Sequence, residues 1–180
     1  MGRDKPSLPA PGGRTLLEWM LDRVQAWAEE IIVAGGRELL LPRTVRWVPD
    51  AIPGCGPLGG MLAGLRQASA RRVWVLACDL PEVTPALGDL LFGAAQGHEA
   101  ALPRLGGRVH GLCAVYAAGV AERIERLLTS GGRAVHELVE QLDVVFLDED
   151  QLRTVDPGLR SLTNLNTPED HQRWLDRSGR

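Results

Sequence analysis

The sequence predicts an α/β fold: a three-layer αβα sandwich with a mostly parallel sheet, in a single domain over residues 1–180. Three observations carry that prediction. Short apolar runs recur with helical stretches between them, the pattern of strands buried on both faces. Gly, Pro and Asp cluster just past the ends of those runs. A chain of 180 residues, 44% of them hydrophobic, is long enough for one sizeable core.

Taken in order, Thr15 caps a helix over residues 15–28 that places Leu16, Leu17, Met20, Leu21 and Val24 on one face. Ile31-Ile32-Val33 reads as a short buried strand stopped by Gly35-Gly36, and Val45-Arg46-Trp47-Val48 as a second. A loop over 49–57 leads into a helix over 58–67, whose glycines permit close packing. Residues 73–77 form the clearest strand, ended by Cys78-Asp79-Leu80-Pro81. A helix over 85–95 follows. Strands over 100–103 and 109–116 flank the Gly106-Gly107 turn. Helices over 120–128 and 134–141, a strand over 143–147 and a helix over 168–176 complete the chain. Strands separated by helices define the sandwich. Ligands in such sheets gather at the carboxyl ends of the strands. Asp50 and Asp79 both sit there.

Composition narrows the function. Acidic residues outnumber basic ones, 23 to 20, and no basic tract or basic-aromatic interleaving points to nucleic acid. No apolar run is long enough for a membrane span, and Met1 opens no basic-then-apolar leader. The expected location is cytoplasmic. Cys55, Cys78 and Cys113 are unclustered, so free thiols in a reducing compartment are expected, with no zinc site.

Lys5 is the sole lysine among the twenty Lys and Arg side chains. Chance survival of one lysine accounts for this as well as the functional reading does, which is a place where a compact ammonium matters, such as a phosphate contact. The run 54–65 holds Gly54, Gly56, Pro57, Leu58, Gly59 and Gly60. Its glycines free the loop backbone and Pro57 suits a first helical turn, whose exposed amides can hold an anion or a base edge. A plain tight loop with a small-residue packing face also accounts for that spacing. Asp79, at the end of a central strand, suits a hard divalent cation whose other ligands are phosphates and water. Its structural alternative is a turn or helix cap, but Thr84 is the better cap for the next helix. Asn164 and Asn166, one residue apart, lie on one side of an expected extended strand. Thr167, Pro168 and Asp170 have the spacing of a capping box. His110, in an expected strand, and His136, on an expected helix, read as ordinary core or surface residues. No Ser-His-Asp or Cys-His set is legible. What remains is phosphate chemistry that needs positioning, a metal and positive charge, without a covalent nucleophile.

Taken together, Met1-Gly2-Arg3-Asp4-Lys5, Asp50 with Gly54 and Gly56-Pro57-Leu58-Gly59-Gly60, Cys78-Asp79-Leu80-Pro81, and Asn164 through Asp170 resemble the molybdenum cofactor guanylyltransferase family. The order and approximate spacing match over essentially the whole chain. The resemblance implies a Rossmann-like nucleotidyltransferase fold, with Mg²⁺ as cofactor and GTP and molybdopterin cofactor as partners. GMP would pass from GTP to the acceptor phosphate, and pyrophosphate would leave. Lys5 would neutralise GTP phosphates. Asp79 would ligate Mg²⁺ and position the nucleotide. Asp50, Gly56, Pro57, Leu58, Gly59 and Gly60 would contact the guanosine. Asn164 and Asn166 would lie toward the acceptor or the metal-bound phosphates. Transient contact with molybdoenzymes or their chaperones is also implied. Two departures from the family pattern stand out. The first strand and its Leu-Ala-Gly-Gly-x-Ser-x-Arg loop are expected to be missing ahead of Lys5. Gly35-Gly36 stands where relatives carry an asparagine that touches the nucleotide. The alternatives are a related transferase with another nucleotide or acceptor, such as a cytidylyl enzyme, and a non-catalytic binding protein.

Overall fold

Alternation along the strands sorts the side chains of the central sheet onto two faces, and each face carries its own helices. The computed structural model describes residues 5–36, 38 and 41–179. Residues 1–4, the start of the lysine motif, lie outside the described residues. The elements are β1 (Pro9–Ala10), β2 (Arg14–Thr15), α1 (Leu16–Val24), β3 (Ile31–Ala34), β4 (Val45–Val48), α2 (Pro57–Gln67), β5 (Arg72–Leu76) and α3 (Pro85–Ala94). They continue as β6 (Ala100–Leu105), β7 (Arg108–Val109), β8 (Cys113–Ala117), α4 (Val120–Thr129), α5 (Val135–Val139), β9 (Val144–Leu147), α6 (Glu149–Arg153) and α7 (Pro168–Ser178).

On β5, Val73 and Val75 face one side while Trp74 and Leu76 face the other. Ala114 and Tyr116 of β8 join the first side, Cys113 and Val115 the second. The same two-residue period runs through β6 and β9. Helices α2 and α4 cover the first face with Leu58, Met61, Leu62, Leu65, Ile124 and Leu128. Helices α1 and α3 cover the second through Met20, Val24, Leu87 and Leu91. The three-layer sandwich follows.

The sheet is mixed, not mostly parallel. In the five-stranded sheet, ordered β5-β8-β6-β7 with β9 on β6, β8 runs antiparallel between β5 and β6 and only β6 and β9 pair in parallel, while β3 and β4 form a separate parallel pair among the described residues. The cause is local: the Gly106-Gly107 turn, with both residues at positive φ, sends the chain straight back without a crossover helix. β3 pairs only with β4, and β5 only with β8, among the described residues.

Thr15 caps α1 in a full capping box with Glu18. The helix stops at Val24, short of residue 28. Trp27 leaves the helix to donate to Asp89 and to lie edge-on to Trp74, 5.5 Å between centroids. Thr84 does hold the cap position of α3, but its hydroxyl makes no capping bond and instead lies 3.5 Å from Ser161 Oγ. Thr167 and Asp170 form the expected capping box at α7. No helix among the described residues is long and apolar enough to cross a membrane.

Candidate active site

Three residues far apart in sequence meet on one carboxylate. Asp79 follows β5 and is only 8% exposed. Its Oδ2 pairs with Lys5 Nζ at 2.6 Å, and its Oδ1 accepts from Asn164 Nδ2 at 2.9 Å. Its backbone carbonyl accepts from Leu165 N at 2.9 Å, which fixes the 164–165 segment beside it. The packing that brings these ends together is apolar. Leu8 and Ala10 from the N-terminal segment share a small core with Leu16, Leu165 and Trp174. His171 Nε2 lies 2.7 Å from the Pro9 carbonyl and ties α7 to the same segment. Lys5, in a short 3-10 turn, is thereby held next to Asn164.

The second constellation lies at the start of α2. Gly56 occupies the cap position at φ 58° and ψ −147°, a conformation open to glycine, and no side chain caps the helix. The first amides of α2 therefore have no capping side chain among the described residues. Asp50 lies over this helix start, its Oδ1 3.4 Å from where a Cβ would stand on Gly59 and on Gly60. A Cβ on Gly35, at φ 83°, would come within 2.5 Å of the same oxygen. Gly35 is thus explained by the close approach of a carboxylate, a reason the sequence alone did not disclose. Its backbone is pinned by Gly35 N to Val48 O at 2.9 Å and Trp47 Nε1 to Gly35 O at 3.2 Å.

The remaining expected site residues fall differently. Leu58 is fully buried in the core, so only its backbone is left for a ligand. Gly56 and Pro57 are exposed. Asn166 is exposed; its backbone N–H donates to Asp170 Oδ2 at 3.2 Å, within the α7 cap, and it does not join Asn164 on Asp79. The 164–166 segment is extended loop, not strand.

Beyond Asn164 lies a cavity of about 190 Å³, bordered by Leu80, residues 108–113 and Val135. Sequence reasoning missed it by treating 109–116 as one strand. The chain leaves the strand path at 110–112, closing a turn with Cys113 N to His110 O at 3.0 Å. The Gly-Gly turn was the available signal. Burial, with Arg108 nearby, holds the His110 imidazole below its ordinary range. Burial pushes the Cys113 thiol up to about 12, so it stays protonated and is no nucleophile.

No group of three or more His, Cys, Asp or Glu side chains among the described residues could cage a metal ion. Asp79, whose side chain keeps 12% exposure, can offer one oxygen to a cation that phosphates and water coordinate elsewhere. One such oxygen suits a hard divalent cation whose remaining ligands come from a phosphate and water.

A buried acid just past a strand end, met by the chain's sole lysine, in a chain that also carries a glycine-rich helix start, is the pattern of the nucleotide-handling α/β transferases. The chain is a member of the MobA-like NTP transferase domain family, whose profile matches residues 1–152. It is 36% identical over 175 residues to a probable molybdenum cofactor guanylyltransferase of Methanosarcina mazei, covering 90% of this chain and 78% of that protein. The fold superposes on molybdopterin-guanine dinucleotide biosynthesis protein A from Archaeoglobus fulgidus with a TM-score of 0.82, at 27% identity, over 98% of this chain and 91% of the other. A 2-C-methyl-D-erythritol 4-phosphate cytidylyltransferase from Thermus thermophilus shares the fold at TM-score 0.72 and 22% identity, over 97% and 91% of the two chains.

Proposed function

We propose that this chain transfers GMP from GTP to the terminal phosphate of molybdopterin cofactor and releases pyrophosphate. The observation that carries the proposal is the convergence of Lys5 and Asn164 on Asp79. The names of its relatives give the acceptor and the base. An acceptor phosphate oxygen attacks the α-phosphorus, and the bond to the bridging oxygen of the β-phosphate breaks. The attacking phosphate is already ionised, so no strong general base is required.

Asp79 would hold Mg²⁺. When bound, the ion supplies Lewis-acid stabilisation of charge on the α-phosphate and the leaving pyrophosphate. Lys5 moves from Asp79 to the phosphates of GTP and neutralises charge as it builds. Asn164 fixes the Asp79 carboxylate and faces the acceptor side, where Asn166 is the outer amide. Asp50 and the backbone from Gly56 to Gly60 hold guanine, whose N1–H and N2–H₂ edge presents donors to a carboxylate. The first amides of α2 add a positive dipole end. The expected setting is the cytoplasm, where the product can pass to a molybdoenzyme or its chaperone.

Calorimetric titration with GTP, ATP and CTP in the presence of Mg²⁺ tests the base assignment. GTP is expected to bind most tightly. Tighter binding of CTP moves the chain to the cytidylyl transferases.

A further inference from the structure

Trp19 and Arg23 stand about one turn apart on α1, and the scheme above gives neither a role. We infer that they are positioning residues: together they clamp the loop that carries Asp79 and hold its carboxylate where Lys5 and Asn164 meet it. The reaction they serve rests on the transferase proposal. The clamp itself rests on geometry.

The loop needs partners. The chain from Asp79 to Val83 turns inward, and Leu80, Pro81 and Val83 are buried. Carbonyls on such a stretch cannot rely on water and must find donors in the protein. Each one does. Asp79 O accepts from Leu165 N at 2.9 Å, and Leu80 O from Val83 N at 3.3 Å. Pro81 O accepts from Trp19 Nε1 at 2.9 Å, Glu82 O from Ser161 Oγ at 3.4 Å, and Val83 O from Arg23 Nε at 3.0 Å. The donors at Pro81 and Val83 therefore both come from α1.

Helical geometry explains the pair. Residues four apart share one face, so both side chains reach the same loop. The Trp19 ring is itself fixed. It lies edge-on to the fully buried Trp174, 5.7 Å between centroids. The Arg14 and Arg23 guanidiniums sit 5.7 and 5.9 Å from its centroid. The indole N–H is thus held in place as a donor before any ligand arrives.

The same helix carries the segment that bears Lys5. Leu16 N, at the start of α1, donates to Leu8 O at 2.7 Å, and Leu8 N donates to Lys5 O at 3.1 Å. One helix thereby holds both partners of the 2.6 Å Lys5–Asp79 pair. A carboxylate assigned to a metal and a phosphate tolerates little drift. Loss of a group that orients such a side chain costs about 10–100-fold in affinity or rate.

The test removes each donor and keeps most of the side chain's bulk. Asparagine occurs only at 164 and 166, so isotope labelling of asparagine alone reports the Asn164 amide on Asp79, with exposed Asn166 as the control. In Trp19→Phe and in Arg23→Met the Asn164 side-chain NMR signal is expected to shift or broaden while the Asn166 signal stays. Trp27→Phe, which removes a 3.0 Å bond of the same kind to Asp89, should move neither. In the transfer assay, kcat should fall about 10-fold in Trp19→Phe and in Arg23→Met, with the preference for GTP over ATP unchanged. Arg23 is only half-buried, so its variant keeps the test valid if Trp19→Phe fails to fold. An unmoved Asn164 signal in a folded variant, an equal shift in Trp27→Phe, or an unchanged kcat overturns the inference. If the Asn164 signal moves as expected but the unmodified protein transfers no GMP, the clamp stands and the transferase proposal falls.

Discussion

Lys5 Nζ lies 2.6 Å from Asp79 Oδ2, across 74 residues of sequence. The pair joins the chain's only lysine to one of the two buried polar or charged side chains among the described residues, the other being Ser161. The lysine side chain is 30% exposed, whereas the Asp79 side chain keeps only 12% exposure and also holds the Asn164 amide. The same pair at a strand end is well placed for phosphate chemistry.

Lys5→Met is therefore expected to separate stability from activity. The buried Asp79 carboxylate then loses its cation but keeps the Asn164 amide, so the unfolding free energy should fall by about 1–3 kcal/mol and the protein should still fold. GMP transfer should fall by about 10²–10³-fold, as when one preorganised donor to developing charge is removed. Lys5→Arg should remain impaired, because a planar guanidinium cannot take the position of a compact ammonium between Asp79 and a phosphate. Denaturant titration beside steady-state rates checks this. Full activity in Lys5→Arg contradicts the assigned role.

Gly35→Ala should disturb the proposed guanine site from behind Asp50. A Cβ at this position meets Asp50 Oδ1 at 2.5 Å, and the φ of 83° is itself strained for alanine. A loss of about 1–3 kcal/mol in stability is expected. GTP affinity should fall as well, because Asp50 must move. Ordinary GTP affinity in a folded Gly35→Ala protein would show that Asp50 has no part in binding.

Stability should also fall on mild acidification through His110. Its folded-state pKa is lowered, chiefly by burial and then by Arg108, from an ordinary 6.5. Between that lowered value and 6.5 the unfolded chain binds the proton more readily than the folded one, so stability rises with pH. The stabilisation is present above 6.5 and is lost as pH falls toward the folded value. Chemical denaturation of the parent and of His110→Gln across this window checks the sign. The slope should flatten in the variant; an unchanged slope assigns the effect to another group.

Much of this was legible in the sequence, for identifiable physical reasons. Val73 to Leu76 reads as a strand because its apolar side chains face two cores, and Thr167 with Asp170 reads as a cap because the motif is wholly local. Lys5, Asp79 and Asn164 could be singled out by type and spacing. Their meeting on one carboxylate depends on Leu8, Leu165 and Trp174 packing the chain ends together, which no local pattern reveals. The antiparallel course of β8 was implied by Gly106-Gly107 but outweighed by the alternation of strands and helices. The turn at 110–112 was hidden because Val109 and the residues from Leu112 to Tyr116 carry strand-like side chains on either side of it. Asn166 was grouped with Asn164 by spacing, yet it stays in solvent beside the α7 cap.

The most direct test of the central proposal is a transfer assay with GTP, Mg²⁺ and molybdopterin cofactor, comparing the unmodified protein with Asp79→Asn. The substitution keeps an oxygen for the Asn164 amide and removes only the charge assigned to the metal. The unmodified protein should form guanylated cofactor and pyrophosphate in equal amounts. Asp79→Asn should fold, bind Mg²⁺ with GTP more weakly, and lose about 10²-fold or more in rate. Equal turnover by both proteins at saturating Mg²⁺ and GTP would contradict the account.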